Sequence, residues 1–207
     1  GVGAGDTGRM VAQGVITADR LLLEGYGDHY LSASNQVNRL AVNLAADGSG
    51  VNPTNNLRFT NAGALDITNV NSAYSTYTAN LAIADPVTLT SPAVSHSGIA
   101  LANAGDQADL IAETGTLTQS EDIVVASGTA GLVSLRAQAG RILQTNASII
   151  NADQLSLQAA TGTSQLLNAN TINDLAGVFT GTSGVEIVTA NALNIEQVTI
   201  DETVAVT

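Results

Sequence analysis

The chain has no cysteine, no tryptophan and no lysine; its six basic residues are all arginine. Without cysteine no disulfide can trap the chain early, which suits export of a large repeat protein but selects no compartment by itself. Against 18 acidic residues the arginines leave a formal charge of −12 and a pI near 4.1. That balance argues against a nucleic-acid backbone or an anionic membrane as partner, because both require clustered cations. Aromatic residues make up 3 %, so a core must be built from Leu, Ile, Val and Ala in thin layers. No apolar run approaches the roughly 18 residues of a membrane helix, so membrane insertion is not expected. No basic segment followed by an apolar one marks a signal peptide. With only 12 % charged residues against 44 % hydrophobic ones, the chain is not an acidic disordered tail, and its polar surface falls to Thr, Ser, Asn and Gln.

What the chain does contain is a long repeat. Ala18-Asp19-Arg20-Leu21-Leu22-Leu23 returns as Ala152-Asp153-Gln154-Leu155-Ser156-Leu157, and Asn35-Gln36-Val37-Asn38-Arg39-Leu40-Ala41 returns as Asn170-Thr171-Ile172-Asn173-Asp174-Leu175-Ala176. Ala64-Leu65-Asp66-Ile67, closing on Val70, returns as Ala192-Leu193-Asn194-Ile195, closing on Val198. The offsets are 134, 135 and 128 residues, which places a length change at 47–56, where Gly48, Gly50 and Pro53 supply loop chemistry. Gly8-Arg9 and Gly140-Arg141 extend the match toward the N-terminus.

Short alternating apolar pairs between turn residues indicate strands at Leu21/Leu23, Leu57/Phe59, Leu65/Ile67, Val87/Leu89, Leu110/Ala112, Leu135/Ala137, Leu155/Leu157, Val185/Ile187 and Leu193/Ile195. A closer echo joins residues 110–119 to 135–144, both reading L-x-A-x-x-G-x-[LI]-x-Q, with the glycine at a corner and the apolar residues inward. Residues 39–46 have helical spacing, yet their copy carries Gly177, Val178 and Gly181, so strand is expected there too. The fold class is therefore all-β: a parallel β-helix, or β-solenoid, with coils of about 20–25 residues. Residues 1–207 are read as one β-helix fragment of a longer chain, opening at Gly1 in mid-pattern, with a first copy at about 8–139 and a partial second at about 140–207. Residues 71–103, with Pro86, Pro92 and His96, have no counterpart in the second copy and are read as an insertion, a side loop or hairpin leaving the coil.

Leu135-x-Ala137-x-x-Gly140-x-Ile142, Ala152-Asp153-x-Leu155-x-Leu157, Asn35-x-Val37-x-x-Leu40-Ala41 and Ala64-Leu65-x-Ile67 together resemble the repeat regions of filamentous haemagglutinin-like bacterial surface adhesins, exported by two-partner secretion or as autotransporters. The resemblance implies a right-handed parallel β-helix at the bacterial cell surface, an extracellular shaft or filament that contributes to attachment, aggregation or biofilm. Its expected partners are neighbouring repeats of the same chain or other copies end to end, and a cell-surface ligand that the sequence does not name.

Chemistry is sparse. Gly3-Ala4-Gly5-Asp6-Thr7-Gly8 fits a phosphate-cradling fingerprint, but strand-like spacing follows where that motif needs a helix. The same glycines do not recur every nine residues as a calcium-binding β-roll requires, so no cofactor is expected beyond weak Ca²⁺ binding at the acidic surface. Candidate acids are Asp66, Asp106, Asp109, Glu121 and Asp122, all read as solvated turn residues. His29 and His96 stand apart from any metal-ligand spacing and are read as surface loop residues, and no serine sits in G-x-S-x-G. The recurrent pairs Asn35/Asn170 and Asn38/Asn173 suit hydrogen-bonded ladders or corners. The chain is read as a non-enzyme, with Tyr74, Tyr77 and His96 in the unmatched stretch as contact residues. The alternative is a polysaccharide-binding or polysaccharide-cleaving β-helix, with Tyr26, Tyr30, Tyr74 and Tyr77 as sugar platforms.

Overall fold

The computed structural model describes residues 10–45, 54–72, 77–79, 87–89, 94–126 and 130–196, and among them there is no helix. The chain climbs in coils. The first holds β1 (Met10–Val11) and β2 (Thr17–Gly25), and the second is one bent strand, β3 (His29–Leu44). The third begins with β4 (Leu57–Asn61) and β5 (Leu65–Ile67). It then departs through β6 (Asn69–Ser72), β7 (Tyr77–Ala79), β8 (Val87–Leu89) and β9 (Val94–Ser97), and closes with β10 (Ile99–Leu101). The fourth coil comprises β11 (Gln107–Ala112), β12 (Leu117–Gln119) and β13 (Ile123–Val125). The fifth comprises β14 (Leu132–Ala137), β15 (Ile142–Gln144) and β16 (Ile150–Asn151). The sixth has β17 (Gln154–Ala159) and β18 (Thr163–Asn170), the seventh β19 (Asp174–Phe179) and β20 (Gly184–Thr189), and β21 (Asn194–Ile195) opens another.

Pairing between successive coils is parallel throughout, which is the signature of a β-solenoid. On the first face the register runs Met10, His29, Leu57, Ala108, Val133, Leu155, Leu175, Ile195. Coils are thus 19 to 28 residues long, except for the 51-residue step from Leu57 to Ala108. That step contains the 29 residues from Asn69 to its antiparallel partner Ser97, and without them it is an ordinary 22. The excursion therefore starts two residues before the expected 71, and the coil resumes at Ile99 rather than after 103. Gly98 closes the neck: its N–H donates to Thr68 O at 3.2 Å, its φ is +68°, and a Cβ would sit 2.0 Å from Asp122 O.

Alternation explains the core. Leu31, Phe59, Leu110, Leu135 and Leu157 are register partners on five consecutive coils, and each is at most 1 % exposed. Burying each such side chain stabilises the stack by roughly 1.5–3 kcal/mol, so stability accumulates coil by coil. The short echo maps onto this stacking directly: Leu110 pairs with Leu135, Ala112 with Ala137, Leu117 with Ile142 and Gln119 with Gln144. Its glycines make the corner. Gly115 has φ +82°, and a Cβ on Gly140 would lie 1.8 Å from Gly115 O. Residues 39–44 are strand, because Leu40, Val42 and Leu44 all point into the core at 0–1 % exposure.

The long repeat has a different geometry. Asn35 closes the corner after the first face, whereas Asn170 ends β18 on the opposite sheet, just before the chain returns to that face. The blocks nevertheless build the same corner. Ile16 N–H donates to Asn35 Oδ1 and Ile150 N–H to Asn170 Oδ1, both at 2.8 Å. The amide nitrogens donate to Leu31, Ala33 and Thr60 carbonyls in one copy and to Leu166, Asn168 and Val188 carbonyls in the other. A register irregularity also falls between Leu31 and Asn35 and again between Leu166 and Asn170. On the outside, Asn38 donates to Asp19 and Asn173 to Asp153 across neighbouring coils. The expected length change at 47–56 lies largely outside the described residues, as do Gly3 to Gly8.

Candidate contact surface

The excursion is held against the start of the stack. β6 pairs with β9 from Asn69/Ser97 to Ser72/Val94, and β6 lies against β2 and β3. Val70, the residue that closes a repeat block, is buried at this base. His96 on β9 reaches back 72 residues to β2, where its Nε2 meets Glu24 Oε1 in a hydrogen-bonded pair, so it is partly covered rather than free in a loop. Beside this clasp runs a groove of ≈ 500 Å³ lined by Met10, residues 20–24, Val70 and Asn71. Tyr77 lies on β7, paired with Leu89, and Tyr74 is outside the described residues.

Three sequence expectations are overturned by burial. His29 is 3 % exposed, not a surface loop residue: its Nδ1 donates to Gly27 O at 3.0 Å and its backbone N–H to Asn56 O at 2.7 Å. Asp106 is fully buried, not solvated. Its Oδ1 accepts the Asn55 N–H at 2.7 Å and its Oδ2 the Asn103 N–H at 2.8 Å, while Asn55 Oδ1 takes the Gly27 N–H. This cluster ties three successive coils together where the chain returns to its first face. Burial pushes the Asp106 carboxyl above its ordinary value, with the nearby Asp28 charge adding to the effect and the two backbone donors opposing it.

Asp109 is the third. It points outward from β11 yet is only 4 % exposed, because Arg58 from the coil below and Arg136 from the coil above close over it. Arg58 Nε donates to Oδ2 at 3.0 Å and Arg136 Nε to Oδ1 at 3.0 Å, and Arg136 Nη2 adds a further contact to Oδ2. One carboxylate is thereby bound by two guanidiniums on consecutive coils, an arrangement that suits bidentate arginine geometry. Both Asp106 and Asp109 spend their oxygens on internal partners.

The remaining acids sit at edges and corners. Asp66 accepts a hydrogen bond from Ser120 Oγ at 2.7 Å, and Asp122 accepts the Ile149 N–H at 2.8 Å, while Glu121 is half-buried. Tyr30, expected as a sugar platform, is 6 % exposed, and Tyr26 is half-buried. Among the described residues, no group of three or more His, Asp or Glu side chains converges to hold a metal ion, and no helix is long and apolar enough to cross a membrane. The buried amides were partly legible: beyond Asn35 and Asn170, Asn61 repeats the corner one coil above Asn35, and Gln119, Gln144 and Asn170 form a second inter-coil ladder. Comparison with protein-family models, with curated proteins and with solved structures finds no match to this chain.

Proposed function

We propose that this chain is a length of extracellular β-helical shaft from a bacterial surface adhesin or filament, and that the excursion clasped by His96 and Glu24 is its outward contact element. The observation that carries the reading is an uninterrupted parallel stack with one antiparallel excursion leaving at a single corner. Such a stack transmits position along its axis at little cost in charge or specificity, and a side element on a rigid support is where recognition concentrates. The adhesive role further rests on the resemblance of the repeat blocks to adhesin shafts, an argument from likeness rather than from chemistry. The polysaccharide-cleaving alternative is disfavoured by the engagement of Asp106 and Asp109 in internal bonds.

The test compares beads coated with the whole chain and with a variant in which residues 69–97 are replaced by a short Gly-Ser link. The neck supports such a splice, since Gly98 N already lies 3.2 Å from Thr68 O. The whole chain should bring beads onto host or bacterial cells, and the shortened chain, still β-rich by circular dichroism, should not. Failure of both to attach would overturn the adhesive reading; release of reducing ends from acidic polysaccharides would favour the alternative.

A further inference from the structure

The internal repeat shows what the free edge of the first coil is built to receive. Leu21 pairs with Leu40 on the coil above, as Leu155 pairs with Leu175 in the second copy. In the second copy the other edge is also occupied, with Leu155 paired to Val133 on the coil below. Among the described residues β2 pairs only with β3. The same holds for Asp19. Its counterpart Asp153 uses Oδ1 for Asn173 Nδ2 at 2.8 Å and Oδ2 for the Ala130 N–H of the coil below at 2.9 Å. Asp19 likewise gives Oδ1 to Asn38 Nδ2 at 3.0 Å, but its Oδ2 faces only Arg20 Nε at 3.8 Å and the side chain is 62 % exposed.

A second observation points to the occupant. The described large apolar side chains that remain exposed gather at the two ends of the stack, Met10, Val11 and Val15 in the first coil and Val178, Val188 and Ile195 in the last ones. At that far end β20 pairs only with β18 and β21 only with β19 among the described residues. We propose that copies of this chain join head to tail, with β2 of one copy pairing in parallel on β20 of the next and Asp19 accepting a backbone N–H from the turn that leads into β20. The contact continues the inter-coil sheet, buries apolar residues from both ends, and is heterologous, so it propagates rather than closing into a dimer. It rests on the fold and on the shaft reading, but does not require adhesion.

The experiment is sedimentation velocity of the whole chain over a wide concentration range, with two edge variants. Asp19→Asn keeps an oxygen for Asn38 and replaces the other acceptor with a donor. Leu22→Pro removes an N–H from the free edge only, because Gly25 C=O accepts from Ala45 and alternate residues of β2 therefore face β3. The wild-type chain should form species that lengthen with concentration, and each variant, with unchanged melting temperature, should associate at least about tenfold more weakly. A monomer at all concentrations overturns the proposal, as does assembly that neither variant weakens. Monomeric chains that still attach to cells would sink this inference alone and leave the shaft reading intact.

Discussion

Asn35 and Asn170 are fully buried corner residues that bind the same set of backbone groups through the same atoms, although they lie on different sides of the solenoid. An asparagine side chain offers both an acceptor and donors, so at a corner it replaces ladder bonds that the bent backbone cannot make. Replacing either by alanine strands a buried Ile N–H and several carbonyls. The expected loss is about 2–4 kcal/mol for each, read from urea unfolding midpoints. Asn38→Ala, which removes only an exposed bond to Asp19, should lose well under about 1 kcal/mol. Equal effects at Asn35 and Asn38 would contradict the corner role.

Asp109 should behave as a buried charge held by two partners. Asp109→Ala leaves two largely covered guanidiniums facing each other, and should destabilise the fold by about 3–5 kcal/mol. Replacing all three members together, Arg58→Met, Asp109→Leu and Arg136→Met, should recover most of that loss. Equilibrium denaturation of the single and triple variants measures both, and a triple variant weaker than Asp109→Ala would refute the account.

Asp106 gives a pH signature with a defined sign. Its folded carboxyl holds a proton to higher pH than the ordinary 3.8 of an unfolded chain. Between those two values the folded state binds more protons, so this group's contribution is fully present below the unfolded value and is lost as pH rises through the folded one. Relative to Asp106→Asn, the wild-type melting temperature should therefore fall as pH is raised from about 4. Parallel pH profiles for the two proteins would show that the burial effect is absent.

Glycines divide by what a side chain would meet. Gly140→Ala drives a methyl group into Gly115 O and should open the fourth and fifth coils, with a loss of at least about 2–3 kcal/mol. Gly63→Ala enters open space at an ordinary backbone angle and should be neutral or stabilise slightly. Thermal melts of the two variants decide the point.

The strands were legible because inward apolar residues alternate with outward polar ones, and the echo between 110–119 and 135–144 coincides with the inter-coil register itself. Asp109 was not legible for the same reason: an outward position in that alternation reads as solvent, and its cover comes from arginines 51 and 27 residues away. His29 and Asp106 failed similarly, since a corner residue becomes interior only when the coils on either side are stacked against it. The excursion was placed two residues late because Val70 carries the apolar mark of a coil strand while being buried beneath the departing pair. Of the contact residues chosen from sequence, His96 is engaged with Glu24, a pairing that local pattern has no means to announce.

The long repeat spans more than four coils but not a whole number of them, since its matching corners sit on different sides of the rod. A feature copied along such a chain is rotated about the axis as well as advanced along it. Excursions like that at Thr68 and Gly98, if carried by successive copies, would point in different directions, as treads do on a spiral stair, and a single filament would present its contact elements around its whole circumference.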